Sequence, residues 1–302
     1  FNTDANTKTC LKQITKSTLT YISIDDMFNG CLNLESIPDG IFNNSLNLTS
    51  ANATFSGCKK LETVPTDLFK NNSNISSFYY VLGDSGLISI PVGFFDGNNQ
   101  ATTFNLAFKS CYNLVSIPSH LFDNCPLVDS FNGTFQNCSK ITSLPAALLS
   151  NNPEVVTYTL MFAGCKIDKI PADLFGEACS IATNFSNMFS GNVNSELPEG
   201  LFKYAVSATN YSGVFYNCQA TTISNDLFAG NNASWDNIFS LNKMTTIGNN
   251  SLVGLSITSN MWKDRTTLKA VGNDTFWQKD REEIANAPTE LLSGCTGLTS
   301  IG

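Results

Sequence analysis

Four sets of residues in this 302-residue chain have types and spacings that could do chemistry. Gly83-Asp84-Ser85-Gly86 places a hydroxyl in a tight glycine loop, a setting that can present a nucleophilic serine. Such a serine needs a base to take its proton, ordinarily a histidine. Glu35 and Glu62 lie 27 residues apart, each between the apolar ends of a short extended run. Stacked one above the other, they could perturb each other's proton affinity and serve as acid and base, as in glycosidases built on stacked coils. Ten cysteines could cross-link the chain or hold a metal. The pair Tyr79-Tyr80 could offer aromatic surface to a protein or a sugar.

The elements that must position these groups come from an internal repeat. Phenylalanine recurs at Phe28, Phe55, Phe108, Phe135, Phe162, Phe189, Phe215 and Phe239; Leu82 fills the gap, and Trp262 and Leu292 continue the column. Steps between neighbours are 26 or 27 residues up to Phe215, then 24, 23 and 30. Proline keeps the same phase at Pro38, Pro65, Pro91, Pro118, Pro145, Pro171 and Pro198, and so does a second aromatic column running from Phe42 to Phe228. A fixed period of this length marks a solenoid, in which each repeat is one coil and stacking buries its apolar edge. Runs such as Leu34-Glu35-Ser36-Ile37 are too short for helices and end at proline, which lacks the N–H that would continue pairing. A further aromatic column, Phe78, Phe104, Phe131, Tyr158, Phe185, Tyr211 and Trp235, lies four residues before each anchor. Each coil is therefore expected to hold two short parallel strands, with a turn of helix at the Phe-x-Gly/Asn-Cys corner and another at the Leu-Phe corner. Eleven anchors at ~4.8 Å per coil give a rod roughly 50 Å long.

Phase decides most of the chemical candidates. Gly83-Asp84-Ser85-Gly86 resembles the nucleophile loop of trypsin-like proteases, but it falls where other coils read Phe-x-Gly-Cys, so Ser85 reads as structural. His120, the only histidine, occupies a corner site held elsewhere by Gly40, Asp67 and Asp173, and is expected to be exposed. With one histidine and no Cys-x-x-Cys pair, Ser–His, Cys–His and zinc schemes lose their partners, and no cofactor or metal is implied. Cys31, Cys58, Cys111, Cys138, Cys165, Cys218 and Cys295 each follow an anchor by three residues, a site that also accepts Ser85 and Asn192. That tolerance points to free buried thiols acting as small apolar filler rather than disulfides. Asparagine pairs after the Leu-Phe corner (Asn43-Asn44, Asn71-Asn72, Asn98-Asn99, Asn151-Asn152, Asn231-Asn232) are read as turn residues, since asparagine tolerates left-handed geometry and bonds to nearby backbone. Glu35 and Glu62 sit where solvated charges belong on a strand. Tyr79 and Tyr80 should point outward from sites held elsewhere by Asp25-Asp26, Asn52-Ala53 or Asn132-Gly133. The candidate binding residues are thus Tyr79, Tyr80, Glu35 and Glu62, with no catalytic residue.

Net charge is −8, and the 17 Lys and Arg residues form no basic cluster, which argues against nucleic acid and anionic membrane as partners. No apolar run reaches a membrane span. The chain reads as one solenoid domain, with residues 1–24 as cap and first strand, 25–239 as regular repeats and 240–302 as divergent repeats. The divergent part contains a charged, helix-favouring insertion over Gln278–Asn286. An opening without Met suggests a mature or trimmed chain. The final motif stops in mid-coil, as if the chain were cut there or covered by a neighbour.

The motif Met27-Phe28-Asn29-Gly30-Cys31-Leu32-Asn33-Leu34-Glu35-Ser36-Ile37-Pro38, and its echo Ser293-Gly294-Cys295-Thr296-Gly297-Leu298-Thr299-Ser300-Ile301, resemble the BspA-like leucine-rich repeat proteins of bacterial surfaces. The resemblance covers about residues 24–302. It implies a right-handed leucine-rich-repeat-like solenoid, located at the cell surface or secreted, and lipid-anchored in a full-length form. It also implies a non-enzymatic adhesin that recognises a host protein, a matrix component or a glycan. A passive spacer and a carbohydrate-active enzyme using stacked carboxylates are the competing expectations. The Pro-Asp/Ala-x-Leu-Phe half of the repeat and the long coil depart from the family pattern.

Overall fold

The computed structural model describes residues 12–15, 19–228, 233, 238, 244–251, 266–272 and 294–301. Trp235, Phe239, Trp262, Leu292, Cys10, the pair Asn231-Asn232, residues 1–11 of the expected cap and the insertion at 278–286 lie outside the described residues. Within them the coils stack through two parallel ladders, as the repeat requires. One ladder runs Ser50, Ser77, Thr103, Ser130, Thr157, Asn184, Asn210, each bridged to the next. The other joins Gln13 to Ser36 and Ser143 to Lys169, then becomes a four-stranded parallel sheet in sequence order. Its strands are β1 (Thr222–Ile223), β2 (Thr246–Ile247), β3 (Ala270–Val271) and β4 (Ser300–Ile301).

On the second ladder proline separates the regular coils from the paired strands. In the regular coils the residue after Ile37, Val64 or Ile90 is proline, which has no N–H to give to the next coil. Where glycine replaces it, Gly248 and Gly272 donate to Ile223 and Ile247 at 2.8 Å each and pairing extends by one rung. No larger residue fits there, because a Cβ on Gly248 would lie 2.8 Å from the Ile223 carbonyl oxygen.

The expected helical corners are instead chains of reverse turns. In residues 24–31, Met27, Asn29 and Cys31 close turns onto the residue three before, whereas Asp26, Phe28 and Gly30 donate to Asn52, Thr54 and Ser56 of the next coil at 2.7–2.9 Å. A helix would aim every N–H along its own axis and leave no rung for the neighbour. Alternation between turn and stack needs left-handed backbone two residues either side of the anchor. Asp26, Ala53, Leu106 and Leu160 meet that need on one side and Gly30, Gly57, Asn137 and Gly164 on the other, all with positive φ.

Inside, the buried side chains from Ile24 to Cys295 form one continuous apolar cluster. The anchors stack face to face from coil to coil: Phe108 on Phe135 at 5.3 Å and 4°, Phe135 on Phe162 at 5.8 Å and 4°. The column from Phe78 to Tyr211 stacks likewise, with Phe78 and Phe104 at 5.2 Å and 2°. Offset ring stacks at these separations add attraction beyond the area they bury.

The two buried polar columns correct the reading of cysteine and asparagine. All nine described cysteines are buried thiols, and none of the nine is in a disulfide. Most are more than filler: Cys58, Cys111, Cys138, Cys165 and Cys218 donate their thiols to the anchor carbonyl of the preceding coil, at 3.0–3.3 Å. Asn192 replaces a cysteine and does the same with its amide, reaching the Phe162 oxygen at 2.8 Å. At the opposite corner Asn72, Asn98 and Asn152 are fully buried, each donating Nδ2 to two carbonyls of the preceding coil. They are ladder donors, not left-handed turn residues. Cys125 takes the same place between Asn98 and Asn152. The two halves of a coil are thus similar where Phe69 and Phe95 are followed three residues later by the buried donors Asn72 and Asn98, whereas Ala178 and Ala205 take that place after Phe175 and Phe202.

Candidate binding face

Glu35 and Glu62 are exposed, on the ladder that leads to β1. Their backbones belong to that ladder: Glu35 donates to Lys12 and Glu62 accepts from Ile88, both at 2.9 Å. The coils beyond Glu62 place Ile88, Val115 and Thr142 at this site, so the carboxylates form no continued acidic row. Ser85 is buried and lies 3.4 Å from the Cys111 sulfur. His120 is exposed at the other corner, with Nδ1 2.7 Å from Asp123. Serine and histidine are therefore held in separate local arrangements, as phase indicated.

Tyr79 and Tyr80 fall on the other ladder, so the fold does not bring the four candidate residues into one cluster. Tyr79 is 46% exposed, and Tyr80 is half-buried. Their rings are 6.2 Å apart and tilted by 43°. Tyr80 has φ of +54°, rare for a bulky residue. The stack imposes it, since Ala53 and Leu106 on the flanking coils share that conformation and Tyr80 donates its N–H to the Asn105 oxygen at 3.0 Å. From this position the Tyr80 ring folds over Gly83, where any Cβ would meet it at 2.3 Å. Its hydroxyl donates to Asp84, which also faces Lys59 at 3.5 Å. Burial, reinforced by the Asp84 carboxylate, holds the Tyr80 phenol well above its ordinary range. Tyr80 is a fixed wall, and Tyr79 is the exposed ring beside it.

The sequence reading missed what surrounds Tyr79. Its column on neighbouring coils is Asp25, Asn52, Asn105, Asn132 and Thr159, of which Asp25, Asn52, Asn105 and Thr159 hydrogen-bond along the stack through their side chains. The Asp25 carboxylate accepts from the Ser50 hydroxyl at 2.8 Å and the Asn52 N–H at 2.7 Å. Asn52 Oδ1 accepts from Ser77 at 2.6 Å, and Asn105 Oδ1 accepts from Ser130 at 2.6 Å and from the Asn132 N–H at 2.8 Å. The available signal was the amide and hydroxyl composition of the two columns beside the Phe78 column. Tyr79 is the aromatic interruption in this polar row.

No protein-family model matches the chain, and no curated protein matches it. Among solved structures it is similar to the functional domain of InlJ from Listeria monocytogenes, described as including a cysteine ladder. Identity there is 13% and the TM-score 0.42, covering 99% of this chain and 57% of that one. It is also similar to a leucine-rich repeat protein from Bacteroides ovatus, at 17% identity, TM-score 0.40, and 96% and 68% coverage. A leucine-rich repeat protein of Leptospira interrogans gives 14%, 0.48, and 91% and 73%. This chain spans little more than half the length of the InlJ chain. With its stacked coils, short parallel strands and inward columns, the molecule is a leucine-rich-repeat-like solenoid.

Proposed function

We propose that this chain is a non-catalytic recognition module of the BspA-like kind, acting in adhesion at a cell surface or after secretion. One observation carries the reading: the in-phase residues are consumed by packing and ladder bonds, while Tyr79 breaks the pattern as an exposed ring on a rigid face. Rigid aromatics give large contact at low entropic cost. The candidate acid–base residues Glu35 and Glu62 stand on an open ladder face beside apolar Ile88 and Val115, which suits solvated charge better than catalysis. No helix among the described residues is long and apolar enough to cross a membrane.

The test is an array of matrix proteins, host surface proteins and glycans probed with the intact chain and with Tyr79→Ala. The wild type is expected to bind at least one class, and the variant to bind at least tenfold more weakly, the effect of losing a contact worth ~1.4 kcal/mol or more. Binding to nothing would make the chain a spacer, and products released from polysaccharide would make it an enzyme; either result defeats the proposal.

A further inference from the structure

Building on that reading, we infer that the face around Tyr79 binds a neutral polysaccharide, with the Tyr79 ring as stacking platform and the Asn52 and Asn105 side chains as flanking donors. The ladder bonds orient those two amides. Each has its Oδ1 committed to the serine of the following coil, Ser77 or Ser130. Neither Nδ2 makes a hydrogen bond among the described residues, so each –NH2 is left for solvent or a ligand. Sugar rings offer a complementary surface: a C–H face that lies on an aromatic ring and hydroxyl lone pairs that accept from amides.

Spacing and charge narrow the class. Asn52 and Asn105 are two coils apart with Tyr79 between them, so the donors span roughly 10 Å along the stack, suited to consecutive sugars of an extended chain. The ladder columns beside Tyr79, over residues 49–52, 76–79, 102–105 and 129–132, contain Ser50, Ser77, Thr103 and Ser130 and no Lys or Arg. The nearby carboxylates Asp25, Asp84 and Asp129 would repel an anionic glycan, and the neighbouring cation Lys59 already faces Asp84 at 3.5 Å. A protein partner would want a contiguous apolar centre, whereas the rungs on either side of Tyr79 carry amides. Tyr80, pinned over Gly83 and bonded to Asp84, braces the platform before any ligand arrives.

Isothermal calorimetry of the intact chain with cellohexaose, mannohexaose, maltohexaose and chondroitin sulfate tests this. At least one neutral hexasaccharide should bind and chondroitin sulfate should not. Tyr79→Ala should weaken binding at least tenfold, while Tyr79→Phe keeps most of it. Asn105→Asp retains the acceptor oxygens and removes the donor, so it should weaken binding several-fold with the fold intact by circular dichroism. Tyr216→Ala, an exposed tyrosine on another column, should change nothing. Failure of all three neutral sugars to bind, preference for chondroitin sulfate, or binding indifferent to Tyr79→Ala overturns the inference. If the chain binds a protein through Tyr79 but no sugar, this inference falls and the recognition proposal stands; if it binds neither, both fall.

Discussion

Replacing Phe135 by leucine removes one aromatic ring from the middle of a stack while leaving the site filled. Phe135 is fully buried and lies parallel to Phe108 at 5.3 Å and Phe162 at 5.8 Å. Leucine is an acceptable occupant, since Leu82 fills the same column, fully buried, between Phe55 and Phe108. Loss of two ring stacks at about 0.5–1.5 kcal/mol each should destabilise Phe135→Leu by roughly 1–3 kcal/mol. Phe135→Ala should be destabilised by about 3–5 kcal/mol because a cavity is added. Urea denaturation followed by circular dichroism gives both values. A double-mutant cycle makes the test sharper. Phe108→Leu with Phe135→Leu should couple by about 0.5 kcal/mol or more, whereas the distant pair Phe28→Leu with Phe135→Leu should be additive within about 0.5 kcal/mol. A Phe135→Leu change below about 0.5 kcal/mol, or equal coupling for near and distant pairs, would refute the stacked-column account.

Asn98→Ala removes hydrogen bonds of 3.2 and 3.1 Å to the Phe69 and Asn72 oxygens, so a loss of about 2–3 kcal/mol is expected. The exposed Asn74→Ala should stay within about 0.5 kcal/mol, and equal values in the same urea titration would contradict the buried-donor role. Burial pushes the Cys165 thiol from 9.0 up to about 12, and Cys125, Cys179 and Cys218 likewise. The native state thus holds protons that the unfolded chain gives up. Their stabilising contribution is complete below pH 9 and is lost as pH rises from 9 toward 12, by about 4 kcal/mol for Cys165 at the upper end. Urea midpoints at pH 8, 9.5 and 10.5 should fall steadily, less steeply in Cys165→Ala, and a flat profile would count against buried thiols. Gly83→Ala drives a methyl into the Tyr80 ring; a loss of about 1–3 kcal/mol, with the Tyr80 phenol titrating at lower pH, is the expected outcome, measured by denaturation and by ultraviolet titration against Tyr80→Phe.

Much of this molecule was decided by the order of its residues alone. A period of 26 or 27 with Phe, Cys and Pro in phase leaves little choice: apolar sites at one register must face inward when each coil covers the next, and proline must end pairing. The buried anchors, the two parallel ladders, the buried thiols and the exposed His120 were all legible from that pattern. The corners were not, because a short Phe-x-x-Cys segment fits a helical turn locally as well as a reverse turn. Only the next coil, which takes the N–H of Asp26, Phe28 and Gly30, selects the reverse turn and forces positive φ on residues such as Tyr80. Nor could spacing show that Asn98 is a buried donor, that Tyr80 folds over Gly83, or that Tyr79 interrupts a row of oriented amides. Periodicity along a chain assigns a residue to the inside or the outside of a coil, but partners on neighbouring coils, some 27 residues away, determine what each side chain touches once it is there.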